Sequence, residues 1–306
     1  MTKMTRKLIL AVLTVVVTVA TLGTTTFAWF TLTNTSVIQD FEVDIIQDAG
    51  IEIAVADLAT LPEDLVWRTT LTTADILAYL DATYGGQPLF THVTSEDGRT
   101  FRTLGIGAIG DVTSSGYVEI PLHFRSNSAD EIAWDQVSLT SGVVQYRPAV
   151  PFVDSLGVSR TTAATYPTDA ADAMRISITG TVDAALTTHV YENPALNTNT
   201  VLGGLSGANL TNGGVGVNGA VNFYYESTNT LPGGADSVTT VSTVTSLAPG
   251  VGLKVLTMDS GQSAIHDQEY YGTIVIRIWL EGWDAEALNG ILGRTITTGF
   301  RFIAAA

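Results

Sequence analysis

Four histidines, His92, His123, His189 and His266, are the only imidazoles in a chain that contains no cysteine. None pairs with another as HxH or HExxH, so the sequence offers no zinc-protease helix, and each reads as a strand or surface histidine. The missing cysteine excludes disulfides, thiol nucleophiles and iron–sulfur clusters together. Gly261-Gln262-Ser263-Ala264-Ile265 approaches the GxSxG nucleophile elbow and fails at its last position. Gly105-Ile106-Gly107-Ala108-Ile109-Gly110 matches GxGxxG, but a phosphate site needs those glycines to open a helix. Here Asp111-Val112-Thr113-Ser114 leads through a turn toward a strand. The acid pairs Glu63-Asp64 and Glu96-Asp97 stand beside turn residues and read as solvated turn acids, whereas glycoside hydrolysis needs two carboxyls opposed across a cleft.

Two chemistries remain. Loop oxygen donors suit a hard cation, and "DSGQSAIHDQE" (Asp259, Asp267, Glu269) and "SNSADE" (Asn127, Asp130, Glu131) supply them without a DxDxDG pattern. A structural calcium is therefore the one ion to consider, and no other cofactor is expected. Trp279 and Trp283 bracket Glu281-Gly282. Trp279 alternates with Ile278 and Leu280, so it should point away from the core, free to stack on a glycan or fill a subunit contact. Cover by a following helix is the alternative.

The elements that would hold these residues begin with an apolar leader. Lys3, Arg6 and Lys7 precede an apolar run from Leu8 to Ala20, and Thr26 and Ala28 stand at the −3 and −1 positions of a cut before Trp29. That is the grammar of a secretory signal over residues 1–28. The rival reading spans Leu8 to Phe30 as a retained helix, the chain's only membrane contact, long enough to cross a bilayer with its basic end inside. Both readings place the body outside the cell or at its surface. The formal net charge of −16 falls to −19 once those three cations are removed, which excludes a nucleic-acid partner. Asn34-Thr35-Ser36 and Asn209-Leu210-Thr211 match the N-glycosylation sequon, which matters only in a host that glycosylates.

The basic start, the apolar run, the small residues and then Ala28-Trp29-Phe30-Thr31 resemble the signal-peptide region of TasA- and camelysin-like exported proteins, over about the first tenth of the chain. The resemblance implies cleavage by a dedicated signal peptidase, a mature β-sandwich, and polymerisation into matrix fibres by donation of an N-terminal strand. The metalloprotease activity linked with camelysin is not implied, since no HExxH occurs here.

Past the leader the hydrophobic period becomes two. Val118, Ile120, Leu122 and Phe124 share one face, as do Met174, Ile176 and Ile178, then Ile274, Ile276, Ile278 and Leu280, then Ile296, Thr298, Phe300 and Phe302. Such alternation predicts antiparallel strands with one dry and one wet face. Pro121 predicts an edge or a bulge in its strand. "VIQDFEVDII" and "IEIAVA" read as a hairpin turning at Asp48-Ala49-Gly50. Two short helices are expected, Thr73 to Thr83 and Asp284 to Leu292 with Asp284 as cap. Residues 29–306 then form one elaborated, jelly-roll-like β-sandwich, with a loop-rich Asn/Gly insertion at about 193–219 and a second loop-like region from Pro148 to Ala171.

These readings converge on a non-enzymatic extracellular subunit of a surface or matrix homopolymer that assembles by β-strand addition. Trp29, Phe30, Leu32, Val37, Phe41, Val43 and Ile45 would form the donated strand. The alternatives are a secreted or tethered carbohydrate-binding module, and a hydrolase whose acids meet only in the fold.

Overall fold

The structure, a computed structural model, describes residues 37–45, 50–86, 90–104, 109–193, 218–229, 247, 250–291 and 294–305. In chain order the strands are β1 (Val37–Ile45), β2 (Ile51–Val55), β3 (His92–Ser95), β4 (Phe101–Leu104), β5 (Ile109–Thr113), β6 (Tyr117–Ser126), β7 (Glu131–Thr140) and β8 (Val144–Tyr146). They continue as β9 (Phe152–Val153), β10 (Ser159–Arg160), β11 (Tyr166–Thr168), β12 (Met174–Val182), β13 (Ala185–Glu192), β14 (Leu253–Thr257), β15 (Tyr270–Glu281) and β16 (Thr295–Ala304). Helices α1 (Thr73–Tyr84), α2 (Ala220–Thr228) and the single turn α3 (Ser263–His266) interrupt them. The body is mainly β, as the alternation predicts.

β15 is the spine of the larger sheet. One of its edges pairs antiparallel with β12, and β13 lies outside β12. Its other edge pairs with β6 from Tyr270 to Trp279, then in parallel with β3 at Leu280 and Glu281. β2 lies outside β6, and β4 and β5 extend β3. The second sheet runs β1-β16-β7-β14, with β1 parallel to β16 and the other pairs antiparallel. The apolar faces of the two sheets meet in one core, which gives the molecule its sandwich-like character. Val118, Ile120, Leu122 and Phe124 are at most 1% exposed. The Phe124 and Phe302 rings lie 5.4 Å apart across the sheets, and Trp134 and Tyr191 lie 5.9 Å apart. Burying one such side chain is worth roughly 1.5–3 kcal/mol, so a one-residue slip of β6 would forfeit four of them at once.

α1 forms where its spacing puts it. Thr72 and Asp75 make a reciprocal capping box, Ile76 and Leu80 face the core, and Gly85 ends the helix at φ 70°. Pro121 is explained by the neighbour it lacks. β6 is paired on both sides only from Leu122 to Ser126, where β2 covers it; from Pro121 back to Tyr117 it pairs with β15 alone. The Tyr84 hydroxyl partly closes that open edge, accepting the Glu119 N–H at 2.8 Å.

Three expectations are corrected. The segments read as a hairpin do not pair: β1 joins β16 and β2 joins β6, in different sheets, because each finds a longer strand to lie along. Of the helix expected from Asp284 to Leu292, the described residues 284–291 form not an α-helix but turns ending in a 3₁₀ segment, Asn289–Ile291. Asp284 Oδ1 accepts the Glu286 N–H at 2.8 Å as a cap would, while its other oxygen pairs with Arg175, and Asn289-Gly290 is poor helix material. Third, the far face of the larger sheet is only partly wet: His123, Arg175, Ser177 and Trp279 are all 0% exposed, while Glu119 and Arg277 keep contact with solvent. The β3–β4 hairpin folds over it, the Ser177 hydroxyl donating to the Gly98 carbonyl at 2.6 Å. Residues 194–217 of the expected insertion, residues 105–108 of the glycine motif, and Leu8–Phe30 lie outside the described residues.

Candidate functional site

β1 sits on the rim of the four-stranded sheet. It runs parallel to β16 from Val37 opposite Thr295 to Ile45 opposite Phe302, with an irregularity between Ile38 and Phe41. Among the described residues no strand pairs with its other side. Val37, Phe41, Val43 and Ile45 of the expected assembly strand are therefore on an edge; Trp29, Phe30 and Leu32 lie outside the described residues. The β16 positions beside β1 include Ile296, Phe300 and Phe302, all buried, and among the described residues the outer side of β1 presents unpaired main chain.

The calcium candidates are engaged separately. Asp259 bridges to Tyr271 through its backbone, the exposed Asp267 lies 3.6 Å from Arg125, and Glu269 accepts the Gly261 N–H at 2.8 Å. Asn127 accepts the Glu269 N–H, Asp130 is exposed, and Glu131 holds the Lys254 ammonium at 2.9 Å. Among the described residues no three His, Cys, Asp or Glu are arranged to hold a metal ion.

Trp279 and Trp283 offer no stacking face. Both are 0% exposed. Trp279 packs edge-on to Phe101 of β4 at 5.2 Å, so its cover is the β3–β4 hairpin and not a following helix. Its indole N–H donates to Glu281, which also accepts the Trp283 N–H, both at 3.1 Å. Burial holds the Glu281 carboxyl above its ordinary range.

What the sequence did not disclose is a cavity of about 190 Å³ on the flank of the sandwich. Its walls come from Val143, from the region read as loop between Pro148 and Ala171 with Asp172 just beyond it, and from the turn after β15. That region pairs its β9 with β10 and its β11 with β8, which precedes it, and the two ribbons pack on α2 through Phe152, Tyr166, Phe223 and Trp283. Asp154 shapes the β9–β10 turn by accepting the Leu156 and Val158 N–H groups, and it binds Arg160 Nε at 2.6 Å. The Arg160 guanidinium lies 5.0 Å over the Tyr166 ring. Asp169 caps the 3₁₀ turn Ala170–Ala173 by accepting the Ala171 N–H.

Two carboxyls on the cavity wall are displaced upward. Asp172 is pushed up to about 7, first by burial, then by the charges of Asp169 and Asp284. Glu286 is pushed up to about 9, again by burial first and by Asp284 next. Behind them Arg175 pairs with Asp284 and with Glu192 at 3.0 Å. Perturbed carboxyls around a cleft are a signature of functional sites as well as of ion-pair networks. The acid-rich "TDAADAMR" at Thr168–Arg175 was the one available signal, and nothing in it pointed to Glu286.

No family model, no curated protein and no solved structure matches the chain.

Proposed function

We propose that this protein is a non-enzymatic extracellular structural subunit that assembles into a homopolymer by β-strand addition, with a jelly-roll-like sandwich as its body. The observation that carries the reading is the place of β1: N-terminal in the body, on a sheet edge, and paired among the described residues with β16 alone. A strand so placed can leave one subunit and lie along β16 of the next without remaking any other pair. Main-chain hydrogen bonds would give the join its strength, and the alternate apolar positions Phe41, Val43 and Ile45 its register. The leader, and the resemblance of its junction to matrix-fibre proteins, support export.

Cysteine placed at Val37 and Thr295, partners in register, tests the exchange in a chain otherwise free of thiols. Oxidised polymers should give a covalent ladder on non-reducing gels, each bond joining two subunits. Polymers whose bonds are all within one chain would sink the proposal.

A further inference from the structure

We propose that the flank cavity is a binding site for a small organic cation, an alkylammonium with a short apolar body. The first argument is charge. Asp154, Asp169, Asp172 and Glu286 line the cavity against a single guanidinium, Arg160, which Asp154 already neutralises. Arg175 stands behind the wall, taken up by Asp284 and Glu192. Asp169 and, above about pH 7, Asp172 leave the enclosure with negative charge that no cation lining it offsets among the described residues, while Glu286 keeps its proton until a cation displaces it.

The second argument is independent of the acids. Tyr166 is 6% exposed, yet its hydroxyl has no hydrogen-bond partner. Burial raises its phenol, helped by Tyr146, Asp154 and Glu286, so that hydroxyl sits among the charges of the cavity wall. The Thr168 hydroxyl is likewise buried without a hydrogen bond. Unmade bonds of this kind cost about 1–3 kcal/mol each, so they call for a ligand. Both can accept, and an ammonium brings three donors and no acceptor.

The walls decide between kinds of cation. Val143, Leu156 and Leu288 make much of the lining apolar, and the first two are 63% and 52% exposed, so the mouth is apolar as well. A calcium ion would need about 6–8 oxygen ligands. An alkylammonium needs polar contacts at one end and apolar contact along the other, and the cavity is far larger than one water requires.

The test is calorimetric titration of the whole protein at pH 8 with n-butylammonium chloride, n-butanol and calcium chloride in parallel. The ammonium should bind one-to-one and saturably, releasing a proton as Glu286 ionises. Proton release is read as a difference in heat between phosphate and HEPES buffers. Glu286→Gln should weaken binding at least tenfold and abolish proton release. Tyr166→Phe should weaken it several-fold without lowering the melting temperature, because the hydroxyl it removes holds nothing in the fold. Butanol binding as well as the ammonium, calcium binding in its place, or a folded Glu286→Gln that binds unchanged would each overturn the proposal.

Discussion

The guanidinium of Arg175 and the carboxylate of Asp284, 109 residues apart and both wholly buried, form an ion pair that joins β12 to the turn following β15. Arg175 is also the cross-strand neighbour of Glu192 on one side and Trp279 on the other. Its Nη1 donates to the Met174 carbonyl at 3.0 Å. One cation thus holds two carboxylates out of water. Asp284 in turn lifts Asp172 and Glu286, so the pair governs the cavity as well as the fold.

Replacing Arg175 by Met should therefore be severe. It strands Asp284 and Glu192 in a dry interior, and removing one partner of a buried pair costs about 3–5 kcal/mol. Arg175→Met combined with Asp284→Leu should recover part of that loss. Urea unfolding of the single and double variants measures both. Equal stability of the two would show that Asp284 finds compensation elsewhere.

The same pair explains what the sequence concealed. The buried faces of β6, β12, β15 and β16 and both ends of α1 were legible, because side-chain period and capping chemistry are written within a few residues. Which strand lies beside which was not. β1 and β2 looked like a hairpin from their turn, yet β1 pairs with residues 295–302 at the far end of the chain. Asp284 does accept the Glu286 N–H as a cap would, but its pairing with Arg175 is invisible from its neighbourhood and no α-helix follows it. Trp279 was correctly placed on the face away from the core, but its cover comes from Phe101, which no local pattern links to it. The cavity was hidden for the same reason, its walls being drawn from three separate stretches of chain.

At the open edge of β6, Tyr84→Phe should leave the Glu119 N–H to water. The bond is solvent-accessible, so the loss of stability should be small, about 0.5–1.5 kcal/mol at most. The sharper readout is local. Hydrogen exchange at the Glu119 amide should speed up while the amides of Leu122 to Ser126, covered by β2, keep their protection. Unchanged exchange at Glu119 would mean that Tyr84 does not guard the edge.

Gly219→Ala should unseat α2. Gly219 has φ 70°, and an added Cβ would stand 2.4 Å from the Ala285 carbonyl oxygen. That oxygen also accepts the Ala220 N–H at 2.8 Å, so it cannot withdraw without cost. The helix N-terminus is further tied by Gly219 N–H to the Val153 carbonyl and by the Val153 N–H to Asn222 Oδ1. Strain at such a backbone position costs about 1–3 kcal/mol. The variant should melt lower and bind n-butylammonium more weakly, since residues 285–288 form a cavity wall. A normal melt would show that the helix can shift without disturbing the wall.

The pH dependence of stability follows from groups displaced in opposite directions. Burial lowers His123, which lies against Tyr271 at 2.8 Å and near the Ala56 and Asp57 carbonyls; His266 is lowered by burial, then by His123 and Arg125. The folded state binds fewer protons there than the unfolded chain, so this stabilisation is whole above about 6.5 and lost as pH falls. Asp172 and Glu286 behave conversely. Their folded values, about 7 and about 9, stand above those of the unfolded chain, so their contribution is whole in acid and lost as pH rises toward those values. Between pH 6.5 and 9 buried carboxyls govern this balance, with Glu281 adding to it in the same direction, and the melting temperature should fall steadily, by roughly 2–4 °C per kcal/mol lost. Glu286→Gln should flatten the upper part of that slope, and Asp172→Asn the lower part. Calorimetric melts at half-unit intervals would show it, and a wild-type melting temperature that holds level to pH 9 would mean that neither carboxyl is displaced.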